Sequence, residues 1–80
     1  MKARVFVSLK PTVLDPQGQA IRAALNTHGH GSVSEVRQGK YFDILLKGTD
    51  HAALQTEVES IARDVLANPV IEDYRIDIVE

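Results

Sequence analysis

From Lys2 to Lys10 the chain alternates with period two, with Ala3, Val5, Val7 and Leu9 on one side and Lys2, Arg4, Phe6 and Ser8 on the other. That period predicts a strand with one buried face. Pro11 ends it, and Asp15-Pro16 opens a helix. An Asp at the N-cap accepts orphan backbone N–H groups, and a Pro at the first helical position loses no bond that would have formed. Inside this helix Ile21, Ala24, Leu25 and His28 recur at i, i+3, i+4 and i+7, which makes an apolar stripe. Gly29-His30-Gly31 stops it, because glycine takes the left-handed C-terminal position without steric cost.

A second, weaker strand is expected from Ser32 to Arg37, carrying Val33 and Val36. Gln38-Gly39 joins it to Lys40–Lys47, where Phe42, Ile44 and Leu46 face one way and Tyr41, Asp43 and Leu45 the other. Two extended runs around a glycine-containing connection predict an antiparallel hairpin. Gly48-Thr49-Asp50 supplies a turn and a cap for a second helix, with a stripe of Leu54, Val58, Ile61, Ala62, Val65 and Leu66. Glu59 and Arg63, four apart, support its wet face. Pro69 pushes Asn68 out of helical geometry. A last strand comes next, alternating Tyr74, Ile76 and Ile78 against Arg75, Asp77 and Val79. The order β-α-β-β-α-β predicts an α+β fold. It is an antiparallel sheet with both helices on one face, ferredoxin-like in outline. Residues 1–80 form a single domain without a linker, a repeat or a low-complexity stretch.

If the helices cover Val5, Val7, Ile44, Leu46, Ile76 and Ile78, the opposite face carries Phe6, Tyr41, Leu45 and Val79, interleaved with Arg4, Arg75, Asp43 and Asp77. A sheet face turned only to water rarely holds that many large apolar groups, so Phe6, Tyr41, Leu45 and Val79 are the candidates for self-association. Size points the same way. A core built from 80 residues yields only about 3–5 kcal/mol of net stability, so a domain this small gains from association. The expected state is a homo-oligomer, a dimer or a dimer-based assembly, since two-fold symmetry is the commonest way to bury such a patch.

Charge and composition exclude more than they select. Nine basic against eleven acidic residues leave a net charge of −2, without the basic footprint of a nucleic-acid binder. No run approaches the roughly 18 apolar residues of a membrane span, and Met1-Lys2-Ala3-Arg4-Val5 leads into a strand without an apolar leader core, so a cytoplasmic protein is expected. There is no cysteine, hence no disulfide and no thiolate chemistry. His28, His30 and His51 lack a further ligand at a recognised metal spacing. Ser8, Ser32, Ser34 and Ser60 have no His and carboxylate arranged around them. Gly18, Gly29, Gly31 and Gly39 make neither a dinucleotide fingerprint nor a P-loop. No catalytic, cofactor-binding or metal-binding residue is therefore assigned.

Val7-Ser8-Leu9-Lys10, Val13-Leu14-Asp15-Pro16-Gln17-Gly18, Gly39-Lys40-Tyr41 and Ala67-Asn68-Pro69-Val70-Ile71-Glu72-Asp73-Tyr74-Arg75 frame the chain from end to end. In order and placement they closely resemble the PurS family, small subunits of phosphoribosylformylglycinamidine synthase in purine biosynthesis. The resemblance implies a non-catalytic subunit of a ligase complex. Its partners would be a glutaminase subunit, which releases ammonia from glutamine, and a large synthetase subunit. The synthetase would use ATP and magnesium to convert formylglycinamide ribonucleotide to the amidine. Gln17, Arg37, Lys40 and Arg75, at the helix start, the turn and the last strand, are the candidate partner contacts. A ligand-sensing module of the same layout, ACT-like and binding a small molecule at a dimer interface, is the alternative.

Overall fold

The computed structural model describes Met1 to Val79. In chain order it contains β1 (Lys2–Leu9), α1 (Pro16–Thr27), β2 (Gly39–Leu45), α2 (His51–Ile61), a π-helical turn (Ala62–Leu66) and β3 (Glu72–Val79). β1 lies in the middle of a three-stranded sheet of order β2-β1-β3, antiparallel to both neighbours. Val5 sits between Phe42 and Ile76, and Arg4 between Asp43 and Asp77. Side chains alternate across a sheet, so this register puts one set under α2 and the other on the opposite face. Ala3, Val5 and Val7 are buried against Val58, Ala62 and Ala67, with Phe42, Ile44, Leu46, Tyr74 and Ile76 closing the sides of this core.

Both helices start as their sequences dictate. Asp15 Oδ1 accepts the Gly18 N–H at 2.9 Å, and Asp50 Oδ1 accepts the Ala53 N–H at 3.1 Å. α1 ends at Thr27, beyond which Gly29 lies in the left-handed region with φ of 94°. The Asn68-Pro69 stop is a knot of its own. The Asn68 carbonyl accepts the N–H groups of Ile71 and Glu72, its side chain accepts that of Val70, and the Glu72 carboxylate accepts that of Asn68.

The α+β class, the antiparallel sheet and the two helices agree with the sequence pattern, while three details depart from it. Ser32–Arg37 does not form a strand, so no hairpin closes at Gln38-Gly39. The segment lies along α1, which holds it through side chains. Arg22 Nη1 donates to the Ser34 carbonyl at 3.2 Å, Asn26 Nδ2 donates to those of His30 and Val33, and the Gln38 N–H donates to Asp15. These local polar bonds replace the ladder that a strand with only two valines could not secure.

The second departure is α1 itself. Apart from Gly18 it buries no residue and contributes none to the core, and the molecule stretches to 51 × 27 × 14 Å with a radius of gyration of 16.2 Å. A globule of this length would have a radius of roughly 12 Å. α2 alone covers the sheet, and Ile21 of the α1 stripe remains exposed. The third departure lies at the end of α2. The Ala67 N–H donates to the Ala62 carbonyl, an i→i+5 bond, and the extra residue in that turn rotates the side chains beyond it. Val65, placed on the apolar stripe by a regular period, turns to solvent at 75 % exposure, and Ala67 takes the buried place at 7 %.

Candidate interaction surfaces

Two regions gather the residues that sequence reasoning singled out. At the first, the chain entering α1 meets the chain entering β2, and Asp15 is the pin. Its carboxylate is buried although its other oxygen reaches outside the helix, where Oδ2 accepts the Gln38 N–H at 2.6 Å. The N–H groups of Gln38 and Gly18 hold this carboxyl below the usual carboxylate range. Gln38 Nε2 donates to Gln17 Oε1 at 2.7 Å. Arg37 turns back, and its Nη2 donates to the carbonyls of Lys10 and Val13, both at 2.9 Å.

The close approach depends on Gly18. A Cβ there would lie 2.1 Å from the Val36 carbonyl oxygen and 2.8 Å from Asp15 Oδ2. Glycine is a poor helix former, so its presence in the first turn is the available signal that another backbone passes alongside. Neither Gly18 nor Gln38 is among the residues the sequence pattern singles out for contact. Gln17 and Lys40 line one shallow pocket of about 220 Å³ with Ser8, Gln38 and Glu72. Arg37 faces the neighbouring hollow with Arg22 and Glu35.

The second region is the sheet face turned away from α2. The register sets three rows across it: Leu45, Lys2 and Val79; Asp43, Arg4 and Asp77; Tyr41, Phe6 and Arg75. Arg4 Nε donates to Asp43 Oδ1 at 2.7 Å while its guanidinium lies 4.9 Å from the Tyr41 ring centre. The hydrogen bond and charge of Arg4 hold the Asp43 carboxyl below its ordinary value. Arg75 stacks 4.4 Å from the Phe6 ring centre, and the rings of Phe6 and Tyr41 are 5.9 Å apart and tilted by 43°. The expected self-association residues therefore share one face. Phe6 and Tyr41 touch, while Leu45 and Val79 flank Lys2 at its other end. Arg75 belongs to this face and not to the Asp15 junction where Gln17 and Lys40 meet.

Among the described residues no group of three His, Cys, Asp or Glu could hold a metal ion, and no helix is long and apolar enough to cross a membrane. What the chain offers is surface: a helix beside the sheet with its stripe uncovered, an edge on β2, and an aromatic and guanidinium weave on the outer face. These features define a small α+β subunit built for contact with other chains. Comparison with known proteins says which. The family model for PurS, phosphoribosylformylglycinamidine (FGAM) synthase, matches residues 2–80, and the chain belongs to that family. It is 43 % identical to the PurS subunit of Bacillus subtilis over 79 residues, covering 99 % of this chain and 93 % of that protein. With the PurS subunit of Mycobacterium leprae it shares 47 % identity over 75 residues, 94 % of this chain and 91 % of the relative. Its backbone matches the solved structure of B. subtilis PurS with a TM-score of 0.87 at 43 % identity, over 99 % of this chain and 98 % of that one. It also matches a chain in the structure of PurLQS from Thermotoga maritima with a TM-score of 0.86 at 25 % identity, over 95 % and 93 %.

Proposed function

We propose that this chain holds the glutaminase and synthetase subunits of phosphoribosylformylglycinamidine synthase together, so that ammonia released from glutamine reaches the synthetase. The match of the PurS family model across residues 2–80 carries this reading. The likeness to a chain of the T. maritima PurLQS structure supports it. ATP and magnesium then act at the synthetase subunit, and the complex works in the cytoplasm. The chain self-associates as a dimer or a dimer-based assembly. The elongated shape and the uncovered stripe of α1 support that association, because a domain this small leaves them bare only when another chain covers them.

Gln17 and Lys40 at the junction pocket, Arg37 beside it and Arg75 on the outer face are the contacts assigned to partners. Arg37 also ties its own loop to Lys10 and Val13, and Arg75 stacks on Phe6 and reaches Asp77, so Lys40 is the cleaner probe. The isolated chain should turn over neither glutamine nor ATP. Added to the two partner subunits, it should raise amidine formation from glutamine far more than from free ammonia, since ammonia in bulk needs no alignment of two sites. Lys40→Glu should weaken the glutamine reaction and leave the melting temperature nearly unchanged, whereas Arg75→Glu should weaken the reaction and also lower the melting temperature, because it loses the contacts to Phe6 and Asp77. Equal loss with both nitrogen sources would mean that the chain props up the synthetase site instead. No dependence of either reaction on this chain would refute the proposal.

A further inference from the structure

The outer edge of β3 is left open, and the bonding pattern of the sheet says which groups it offers. The Lys10 N–H donates to the Ile71 carbonyl at 2.8 Å, one step beyond the last pair of the β1–β3 register. Bonded and non-bonded pairs alternate along an antiparallel ladder, so Asp73, Arg75, Asp77 and Val79 turn their backbone groups to β1. The other side of β1 agrees. Met1 exchanges two bonds with Leu46, which gives Ala3, Val5 and Val7 to β2. Glu72, Tyr74, Ile76 and Ile78 therefore point outward. The Glu72 N–H is taken by the Asn68 carbonyl at 2.7 Å. Those of Tyr74, Ile76 and Ile78 meet no partner among the described residues, where no strand lies outside β3. An exposed edge is commonly blunted by proline, a bulge or charge. β3 has no proline and no break in its register, and its charges are mostly of one sign.

A slot runs along the same edge. Gln55 and Glu59 of α2 face Ile76 and Ile78 across an opening of about 210 Å³, and the Tyr74 hydroxyl donates to Glu59 at 3.2 Å beside it. A helix standing over a free strand edge receives an extended peptide as a further strand, with main-chain bonds giving affinity and side-chain pockets giving selectivity. The rims are acidic. Glu59 stands on the helix side, and Asp73 and Asp77 stand on the other. Arg4, opposite Asp77, gives its guanidinium to Asp43, and Lys10 reaches Asp73 only at 4.0 Å. Arg75 leans inward over Phe6, 4.4 Å from its ring centre.

We propose that β3 accepts an extended, basic segment of one of the two catalytic subunits as a fourth strand of the sheet. This rests on the subunit reading above and names the surface and chemistry of one of its contacts. Alternate residues of the segment are apolar and lie against Ile76 and Ile78 in the slot. Those between are Lys or Arg and meet Asp73 and Asp77. A second copy of β3 fits less well, because with Arg75 held over Phe6 two acidic rims would be brought together.

Amide hydrogen exchange tests the pairing, read residue by residue in the isolated chain and in the complex assembled with both subunits. In the isolated chain the amides of Tyr74, Ile76 and Ile78 should exchange about tenfold or more faster than those of Arg75 and Asp77 between them. On assembly that alternation should vanish. Its persistence in the complex would overturn the proposal. Its absence from the isolated chain would give the edge to a second copy and overturn it equally. Ile78→Pro removes one outward N–H that bonds to nothing in β1, so the fold should survive while assembly weakens severalfold. Ile78→Ser keeps that N–H and should weaken assembly less; equal weakening would mean side-chain packing without a strand. Should Ile78→Pro lose its circular dichroism signal, the exchange pattern decides alone. Asp73→Asn combined with Asp77→Asn should also weaken assembly, and no effect would refute a basic segment. A parent chain that joins neither subunit would refute the subunit reading and this proposal together, whereas assembly with the alternation intact refutes the added strand only.

Discussion

Replacing Gly18 by alanine should destabilise the protein, although alanine is the better helix former. Two terms of opposite sign compete at this position. Alanine in place of glycine within a helix gains about 0.5–1 kcal/mol. Against that, the new Cβ would stand 2.1 Å from the Val36 carbonyl oxygen. Carbon and oxygen settle at about 3.3 Å even in their closest favourable contacts, so the two backbones must part by ~1 Å. Forcing a methyl group into a filled site costs about 1–3 kcal/mol, and a backbone neighbour that cannot swing aside puts this case in the upper part of that range. Parting them also pulls the Gln38 N–H away from Asp15. The net loss is roughly 1–2 kcal/mol, or a fall in melting temperature of about 5–15 °C for a domain of this size. Gly31 is the control, since a Cβ there meets nothing within 4 Å. Thermal melts followed by circular dichroism should rank Gly31→Ala at or above the parent and Gly18→Ala well below it. Limited proteolysis should cut Gly18→Ala first within residues 29–38. A Gly18→Ala protein that melts at or above the parent would show that α1 and the segment at Val36 do not approach as described.

Asp15 gives a pH signature. Its folded carboxyl titrates below the ordinary range, so the unfolded chain binds that proton more readily. Its contribution is complete above about pH 5 and is lost as pH falls through the ordinary and then the lower folded value. Asp15→Asn should therefore flatten the fall of melting temperature between about pH 5 and 2.5. Asp43 and Asp64, also held low, should preserve the remainder, and parallel curves for variant and parent would refute the assignment. At the end of α2 the two valines should separate. Val58→Ala, fully buried, should lose about 2 kcal/mol, and Val65→Ala, turned outward by the π-helical turn, less than about 0.5 in chemical denaturation of the isolated chain. Equal losses would restore a regular helix there.

Some of this is legible in the sequence, and the rest stays dark for identifiable reasons. β1, β3 and the caps at Asp15 and Asp50 follow from period-two alternation and short-range hydrogen bonding, which are local. That Phe6, Tyr41, Arg4 and Asp43 share one face also follows from alternation, but which of them pair does not, because a slip of two residues keeps every face and changes every partner. Ser32–Arg37 misleads because a short extended run reads the same whether its partner is a strand or the side chains of Arg22 and Asn26. The stripe of Ile21 and Leu25 correctly announces a face that wants covering, but periodicity does not say which chain provides the cover. Val65 is misplaced by the pattern because one residue of slip in a helical turn leaves no mark in it. The bond from Gln38 to Asp15 spans distant parts of the chain, and only the odd glycine at position 18 hints at it.

The sheet face away from α2 sets the pace at which other molecules can find it. Arg4 lies between Asp43 and Asp77, and Arg75 reaches Asp77, so positive and negative groups alternate across strands about 4.8 Å apart. That spacing is shorter than the Debye length of about 8 Å at physiological salt, so the fields cancel before they extend into solution. A molecule approaching this face feels no long-range pull, and its association should proceed near the unsteered 10⁵–10⁶ M⁻¹s⁻¹, roughly, with little change when salt is added. Discrimination between right and wrong partners must then reside in how long a complex lasts: a matching surface finds rings and guanidinium planes to stack on, and a mismatched one leaves at once.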